Sequence, residues 1–227
     1  MNDLRPAIDA ELTDAVKRTP IILVLDTSGS MQENNRIELL NKGLADFIDA
    51  AKKEDRLADS VLLTLVTFGG RVDAPIQRQS LDKVTMPKLV AVGNTPMGDA
   101  VTAAIGELEL QVQELKAAGI PYTRPWIVLM SDGAPTDDWQ GAADIVQRMI
   151  AEKRLTSFVF GIPPADNRVL SHFGTKGTVY SIKEHDIVEL LKEWLLGTLM
   201  NIARSSDGQK TLQIAAPPAT TLEIELN

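Results

Sequence analysis

The sequence predicts an α/β domain built on a doubly wound, mostly parallel central sheet, with one antiparallel edge strand and helices on both faces. Three observations lead there. Apolar runs of strand length alternate with stretches of helical periodicity through most of the chain, as successive βα units do. Runs such as Ile21 to Leu25 are continuous rather than alternating, which suits strands buried on both faces. The runs close in polar, turn-forming segments, Asp26-Thr27-Ser28-Gly29-Ser30 after the first and Ser131-Asp132-Gly133 after a later one.

Ile21 to Leu25 is expected at the middle of the sheet. From Ile37, the residues Ile37, Leu40, Leu44, Phe47, Ile48 and Ala51 recur at helical spacing, with Asn34 or Asn35 as N-cap and Glu38 as capping support. Val61 to Phe68 and Arg71 to Ile76 flank Gly69-Gly70 and read as two strands joined by a tight turn, the second antiparallel at an edge. Met97, Val101, Ala104, Ile105, Leu108, Val112 and Leu115 line a second helix that starts at Thr95-Pro96 and stops at Gly119. Trp126 to Met130 is the next strand, and Ala142, Ile145, Val146, Met149 and Ile150 mark the helix after it. Phe158 to Phe160 and Val179 to Ile182 supply the last strands, and Ile187, Leu190, Leu191, Trp194, Leu195, Leu199 and Ile202 one face of a long closing helix.

The organisation read from this is a lead-in over 1–19 with a short helix around 8–16, one domain over 20–203, and a tail over 204–227. The tail's TLQI and TLEIEL stretches form a small hairpin, add to a sheet edge or stay mobile.

Composition narrows the function. With 44% hydrophobic and 24% charged residues the chain can build a core. A formal net charge of -8 repels phosphate, which argues against nucleic acid and anionic membranes as partners. The densest basic step, Lys52-Lys53, is followed at once by Glu54 and Asp55 and reads as a solvated helix end. There is no cysteine, so thiolate zinc sites, disulfides and thiol catalysis are excluded. No apolar stretch reaches spanning length and the N-terminus lacks a secretory pattern, so a cytoplasmic protein is expected.

Three polar clusters stand at strand or helix ends: Asp26, Ser28 and Ser30 after the first strand, Thr95 before a helix, and Asp132 after the Trp126 strand. In an open α/β sheet, ligands bind at the carboxyl ends of the strands, so clusters distant in sequence can meet there. All five are oxygen donors, which suits a hard divalent cation, Mg²⁺ or else Ca²⁺ or Mn²⁺, over zinc or copper. Two carboxylates balance the ion while three hydroxyls add no charge, leaving it electrophilic toward an acidic group from outside. Each cluster also has a plain structural explanation. Thr95-Pro96 is a good cap followed by a first-turn proline, and Asp132-Gly133 a turn after a strand. Asp137 and Asp138 read as acids at a helix start. Met31 and Met97 read as core filling, and Trp139 as a rim residue. His172 and His185, the only histidines, suggest no base paired with a nucleophile.

The string Asp26-Thr27-Ser28-Gly29-Ser30 resembles the DxSxS element of the metal-ion-dependent adhesion site (MIDAS) of von Willebrand factor A (VWA) domains. Thr95 in GNTPMG and Asp132 in MSDGAPTDDW match its other two elements. The resemblance covers roughly residues 20 to 203 and implies a Rossmann-like VWA fold. It also implies metal-ligand roles for Asp26, Ser28, Ser30, Thr95 and Asp132, and an Asp or Glu carboxylate of a partner protein completing the coordination. LDTSGSM, GNTPMGDA and SDGAPTDDW are most similar to bacterial tellurite-resistance proteins of TerY type, which implies a stress-response setting. A metal-dependent binding module without turnover is therefore expected. The alternative is a Mg²⁺-dependent phosphohydrolase or nucleotide-binding protein using the same strand ends; the absence of a phosphate loop and of a second Asp two residues after Asp26 weighs against it.

Overall fold

A computed structural model of the chain describes residues 16–204 and, beyond them, the backbone of 211–215 and 221–225. The short helix expected over 8–16 lies, except for Val16, outside the described residues.

Six strands form the main sheet in the order β3-β2-β1-β4-β5-β6. They are β1 (Thr19–Asp26), β2 (Val61–Gly69), β3 (Arg71–Ser80), β4 (Trp126–Ser131), β5 (Thr156–Gly161) and β6 (Tyr180–Ser181). Every neighbouring pair is parallel except β2 and β3. The continuous apolar runs have the cause expected of them. Ile21, Leu23 and Leu25 of β1 enter one hydrophobic cluster, and the intervening Ile22 and Val24 a second on the opposite face.

The first face is covered by α1 (Arg36–Ala51), α2 (Asp55–Ser60) and the closing helix, and the second by α3 (Met97–Ala117), α4 (Gln140–Ala151) and α5 (Asn167–Ser171). The closing helix starts as α6 (Asp186–Glu189), passes through a π-helical stretch at Leu190–Leu195 and continues as α7 (Leu196–Arg204). It packs closely on α1 because Gly43 is there: a Cβ at that position would stand 2.9 Å from Leu191 Cδ1 and 3.2 Å from Val188 Cα. At the end of α3, Gly119 adopts φ +68°, Ile120 N–H bonds back to Leu115 C=O and Gly119 N–H to Lys116 C=O, a left-handed glycine cap that satisfies the last carbonyls.

Three local expectations are corrected. The second strand of the hairpin runs on to Ser80 rather than Ile76, past register shifts against β2. Arg78, at φ +51°, donates its N–H to Thr64 Oγ1 there, so a bulge keeps the pairing alive where the alternation fades. β6 pairs only through Tyr180 and Ser181. Neither Asn34 nor Asn35 caps α1 with its side chain: Asn35 holds the cap position in a left-handed conformation, and Asn34 Nδ2 donates to Glu184 instead. In the tail, β7 (Thr211–Ala215) and β8 (Thr221–Glu225) pair antiparallel as a hairpin, with Thr211 opposite Glu225.

Candidate metal site

The strand order reverses direction between β1 and β4, which are hydrogen-bonded neighbours with Leu25 beside Met130. This switch point is where an open α/β sheet leaves a crevice at the carboxyl ends. Asp26 and Ser131, each one residue further along, therefore meet across it.

Asp26 is fully buried. Its Oδ1 accepts the Ser28 backbone N–H at 2.7 Å and its Oδ2 the Ser131 hydroxyl. Ser30 Oγ donates to Asp132 Oδ1 at 2.6 Å and stands 3.0 Å from Ser28 Oγ. A hydroxyl carries one proton, so with Ser30's committed to Asp132 the Ser28 hydroxyl must donate to Ser30. What a cation would meet is the remaining lone pairs. Thr95 comes from the loop before α3: a Cβ placed on Gly133 would lie 3.7 Å from Thr95 Oγ1 and 3.9 Å from Ser30 Oγ, so both hydroxyls face one small volume. All five residues named from the sequence are thus brought together. No direct hydrogen bond joins the Thr95 hydroxyl to the other four among the described residues.

Burial pushes the Asp26 carboxyl above the ordinary carboxylate range, against the opposing hydrogen bonds from Ser131 and Ser28; the nearby charge of Asp132 adds to the rise. A buried carboxylate with no cation of its own, beside a second one, is suited to a divalent ion. Among the described residues, no cluster of three or more His, Asp and Glu side chains gathers to hold a metal, so any ion here would rest on hydroxyl oxygens as well as on the two carboxylates.

Tight loop packing holds the geometry. Thr27 N–H bonds to Phe68 C=O, Val92 N–H to Thr27 C=O, Gly29 N–H to Gly93 C=O and Gly70 N–H to Asn94 C=O. A Cβ on Gly69 would stand 2.1 Å from Thr27 O. Beside these loops runs a groove of about 780 Å³ whose lining includes Thr27, Gly70, Arg71, Lys88, Val90 and Val92. Val90 and Val92 are 67% and 58% exposed, unusual for large apolar side chains.

Sequence reasoning missed several supporting residues. Ser131 on Asp26 is one. Arg36 is another, 3% exposed, donating Nη1 to Asp132 Oδ2 at 2.8 Å and Nη2 to Pro163 C=O and Glu184 Oε1, both at 2.9 Å. The available signal was a cation at the first position of a helix, where the macrodipole disfavours it unless acids lie opposite. Thr95 does not cap α3 with its side chain; its backbone N–H instead receives Thr136 Oγ1 as acceptor, and its carbonyl accepts from Met97 and Thr136.

The cap comes from Asp137, whose carboxylate accepts from Gly98 N–H at 3.1 Å and Asp99 N–H at 2.8 Å. Asp137 thus serves α3, while Asp138 accepts from Gln140 N–H at the start of α4. Asp137→Ala should cost about 1 kcal/mol of stability, read by urea denaturation; an unchanged midpoint would show the cap to be idle. Met31 and Met97 are fully buried, as core filling requires. Trp139 and His172 make a tilted ring contact with centroids 5.1 Å apart, and His185 lies beside Asp186. No hydrogen bond among the described residues joins either histidine to the five donors.

Comparison with known proteins agrees with this architecture. No curated protein matches the chain in sequence. Among solved structures, the proximal thread matrix protein 1 from the mussel byssus, with a zinc-occupied MIDAS motif, aligns with a TM-score of 0.56 and 18% identity over 81% of this chain and 48% of its own. The pilus adhesin SpaC from Lactobacillus rhamnosus GG aligns with a TM-score of 0.66 and 14% identity over 82% of this chain and 31% of its own. The vWF domain of the type V pili tip protein Mfa5 from Porphyromonas gingivalis gives a TM-score of 0.57 and 11% identity over 86% of this chain and 99% of its own. The chain thus spans about half or less of the mussel protein and SpaC. The model of the von Willebrand factor type A domain family matches residues 21–193, and the chain belongs to that family.

Proposed function

We propose that this chain is a divalent-cation-dependent protein-binding module that uses a MIDAS to capture an Asp or Glu carboxylate of a partner protein, without turnover of its own. The observation that carries the reading is the hydrogen-bonded run from Asp26 through Ser28 and Ser30 to Asp132, with the Thr95 hydroxyl facing the same space. Asp26, Ser28, Ser30, Thr95 and Asp132 would hold the ion, and an all-oxygen donor set favours Mg²⁺, with Ca²⁺ or Mn²⁺ as substitutes. The ion would act as a Lewis acid toward the partner's carboxylate. That the mussel protein carries zinc at its MIDAS supports divalent binding in this fold. Val90 and Val92, exposed on the neighbouring groove, offer apolar contact around a captured carboxylate. No helix among the described residues is long and apolar enough to cross a membrane. The motif resemblance supports a setting in a bacterial stress or tellurite-resistance system.

Affinity capture from native lysate tests it. A partner should be retained in Mg²⁺, released by EDTA, and retained at least tenfold less by the Ser28→Ala/Ser30→Ala double variant. Equal capture under all three conditions would refute the proposal. Mg²⁺-dependent phosphate release from generic esters, abolished by Asp26→Asn, would select the hydrolase instead.

A further inference from the structure

We infer that Arg36 is a positioning residue of the cation site, fixing the direction of the Asp132 carboxylate by tying it to the Pro163 carbonyl and to Glu184. The inference rests on the reading of the site given above. The two oxygens of Asp132 have different partners: Oδ1 takes the Ser30 hydroxyl at 2.6 Å and Oδ2 takes Arg36 Nη1 at 2.8 Å. A carboxylate held at both oxygens has lost its rotation. Arg36 is itself held. It is 3% exposed, Nη2 reaches Pro163 C=O and Glu184 Oε1, both at 2.9 Å, and Nε reaches Glu184 Oε1 at 3.3 Å. Asn34 Nδ2 adds a 3.0 Å bond to that same oxygen. The guanidinium thus bridges α1, the loop after β4, the loop after β5 and the segment before α6.

Direction rather than charge is what this arrangement supplies. Glu184 is a full carboxylate at neutral pH, its pKa lowered to about 2 by a backbone hydrogen bond and by Arg36 and Asn34. It therefore offsets the guanidinium on the side away from Asp132, and little surplus positive charge is left to weaken a cation. A planar fork serves Asp132 from Nη1 and Pro163 and Glu184 from Nη2 and Nε, whereas a lysine's three donors radiate from a single nitrogen and lack that spacing. Removing groups that orient a metal ligand from behind typically costs about 10- to 100-fold in metal affinity.

The test is Mn²⁺ affinity, followed by the paramagnetic resonance signal of the free ion, in the full chain and in Arg36→Lys, with the metal-free melting temperature of each. Arg36→Lys keeps the charge, so a loss of about tenfold or more that is the same at low and high salt supports positioning. Affinity within threefold of the parent would overturn it, as would a loss that disappears at high salt, the mark of a charge effect. Should Arg36→Lys fail to fold, Glu184→Ala keeps Arg36 on Asp132 and takes away the acceptor at its far end. A several-fold loss there that persists at high salt supports the inference; no loss, or a loss that high salt removes, overturns it. If the parent chain itself binds no Mn²⁺, the cation-site reading fails as well, and the two failures are told apart by that one control.

Discussion

Asp26→Asn is expected to abolish divalent-cation binding while leaving the metal-free protein as stable as the parent or more so. The side chain is fully buried, and burial holds its carboxyl above the ordinary range. The hydrogen bonds it makes do not need the charge. An amide oxygen can still accept from Ser28 N–H, and an amide nitrogen can donate to Ser131 Oγ, which keeps one lone pair free beside the one that accepts Gly133 N–H. The substitution therefore removes a desolvated charge and keeps the fold's contacts, whereas a cation loses one of the two carboxylates that balance its charge. The sign with pH follows. A carboxyl with a raised folded-state pKa favours the folded protein most at pH below its unfolded value near 4, and that contribution is lost as pH rises through the folded value. The metal-free parent should fall behind Asp26→Asn over that window. Because the ion competes with the proton on Asp26, cation affinity in the parent should rise over the same window. In thermal melts, Mg²⁺ at about 100 times its Kd should add about 2.7 kcal/mol to the parent and nothing to the variant. A metal-dependent rise that survives in Asp26→Asn would remove Asp26 from the site.

What the sequence made legible, and what it hid, divides along the range of the interaction. Ile21 to Leu25 was readable as a central strand, and Trp126 to Met130 as a strand, because their apolar character is continuous and local. The meeting of Asp26 with Asp132 was readable only through the topology rule for parallel sheets, and the β1–β4 adjacency supplies it. Arg36 was hidden because its partners Asp132, Pro163 and Glu184 lie about a hundred or more positions away, and nothing in a helix-start arginine says which acids it will face. The cap of α3 was misread for a related reason. Thr95 stood in the right place, yet Asp137 from a loop 39 positions on took the Gly98 N–H. The bulge at Arg78 and the π-helical stretch at Leu190–Leu195 leave no mark in hydrophobic spacing, since each shifts the backbone without changing which residues are apolar.

Gly93→Ala should produce the larger structural loss, and lower cation affinity with it, although Gly93 contributes no ligand atom. Two independent penalties coincide at this position. Its φ of +73° lies in the left-handed region, which costs an L-residue about 1 kcal/mol. An added Cβ would also sit 2.5 Å from Gly70 Cα and 2.8 Å from Gly70 N, backbone atoms that cannot rotate away. Relief requires the loop before α3 to separate from the β2–β3 turn. That movement strains the bonds from Gly29 N–H to Gly93 C=O and from Gly70 N–H to Asn94 C=O. The first of these anchors the segment between Ser28 and Ser30, and Thr95 follows two residues after Gly93, so the substitution displaces ligands on two sides of the site. Strain plus overpacking should total about 2–4 kcal/mol. Because ligand sets tolerate only about 0.5 Å of misplacement, cation affinity should fall by about tenfold or more. Gly119→Ala is the matched control. Its φ of +68° carries the same conformational cost, but nothing lies within 4 Å of the new Cβ, and it is at the far end of α3. It should lose about 1 kcal/mol and keep full cation affinity. If Gly93→Ala were no more destabilising than Gly119→Ala and bound Mn²⁺ as the parent does, the contact between Gly93 and Gly70 would not be what holds Thr95 in place.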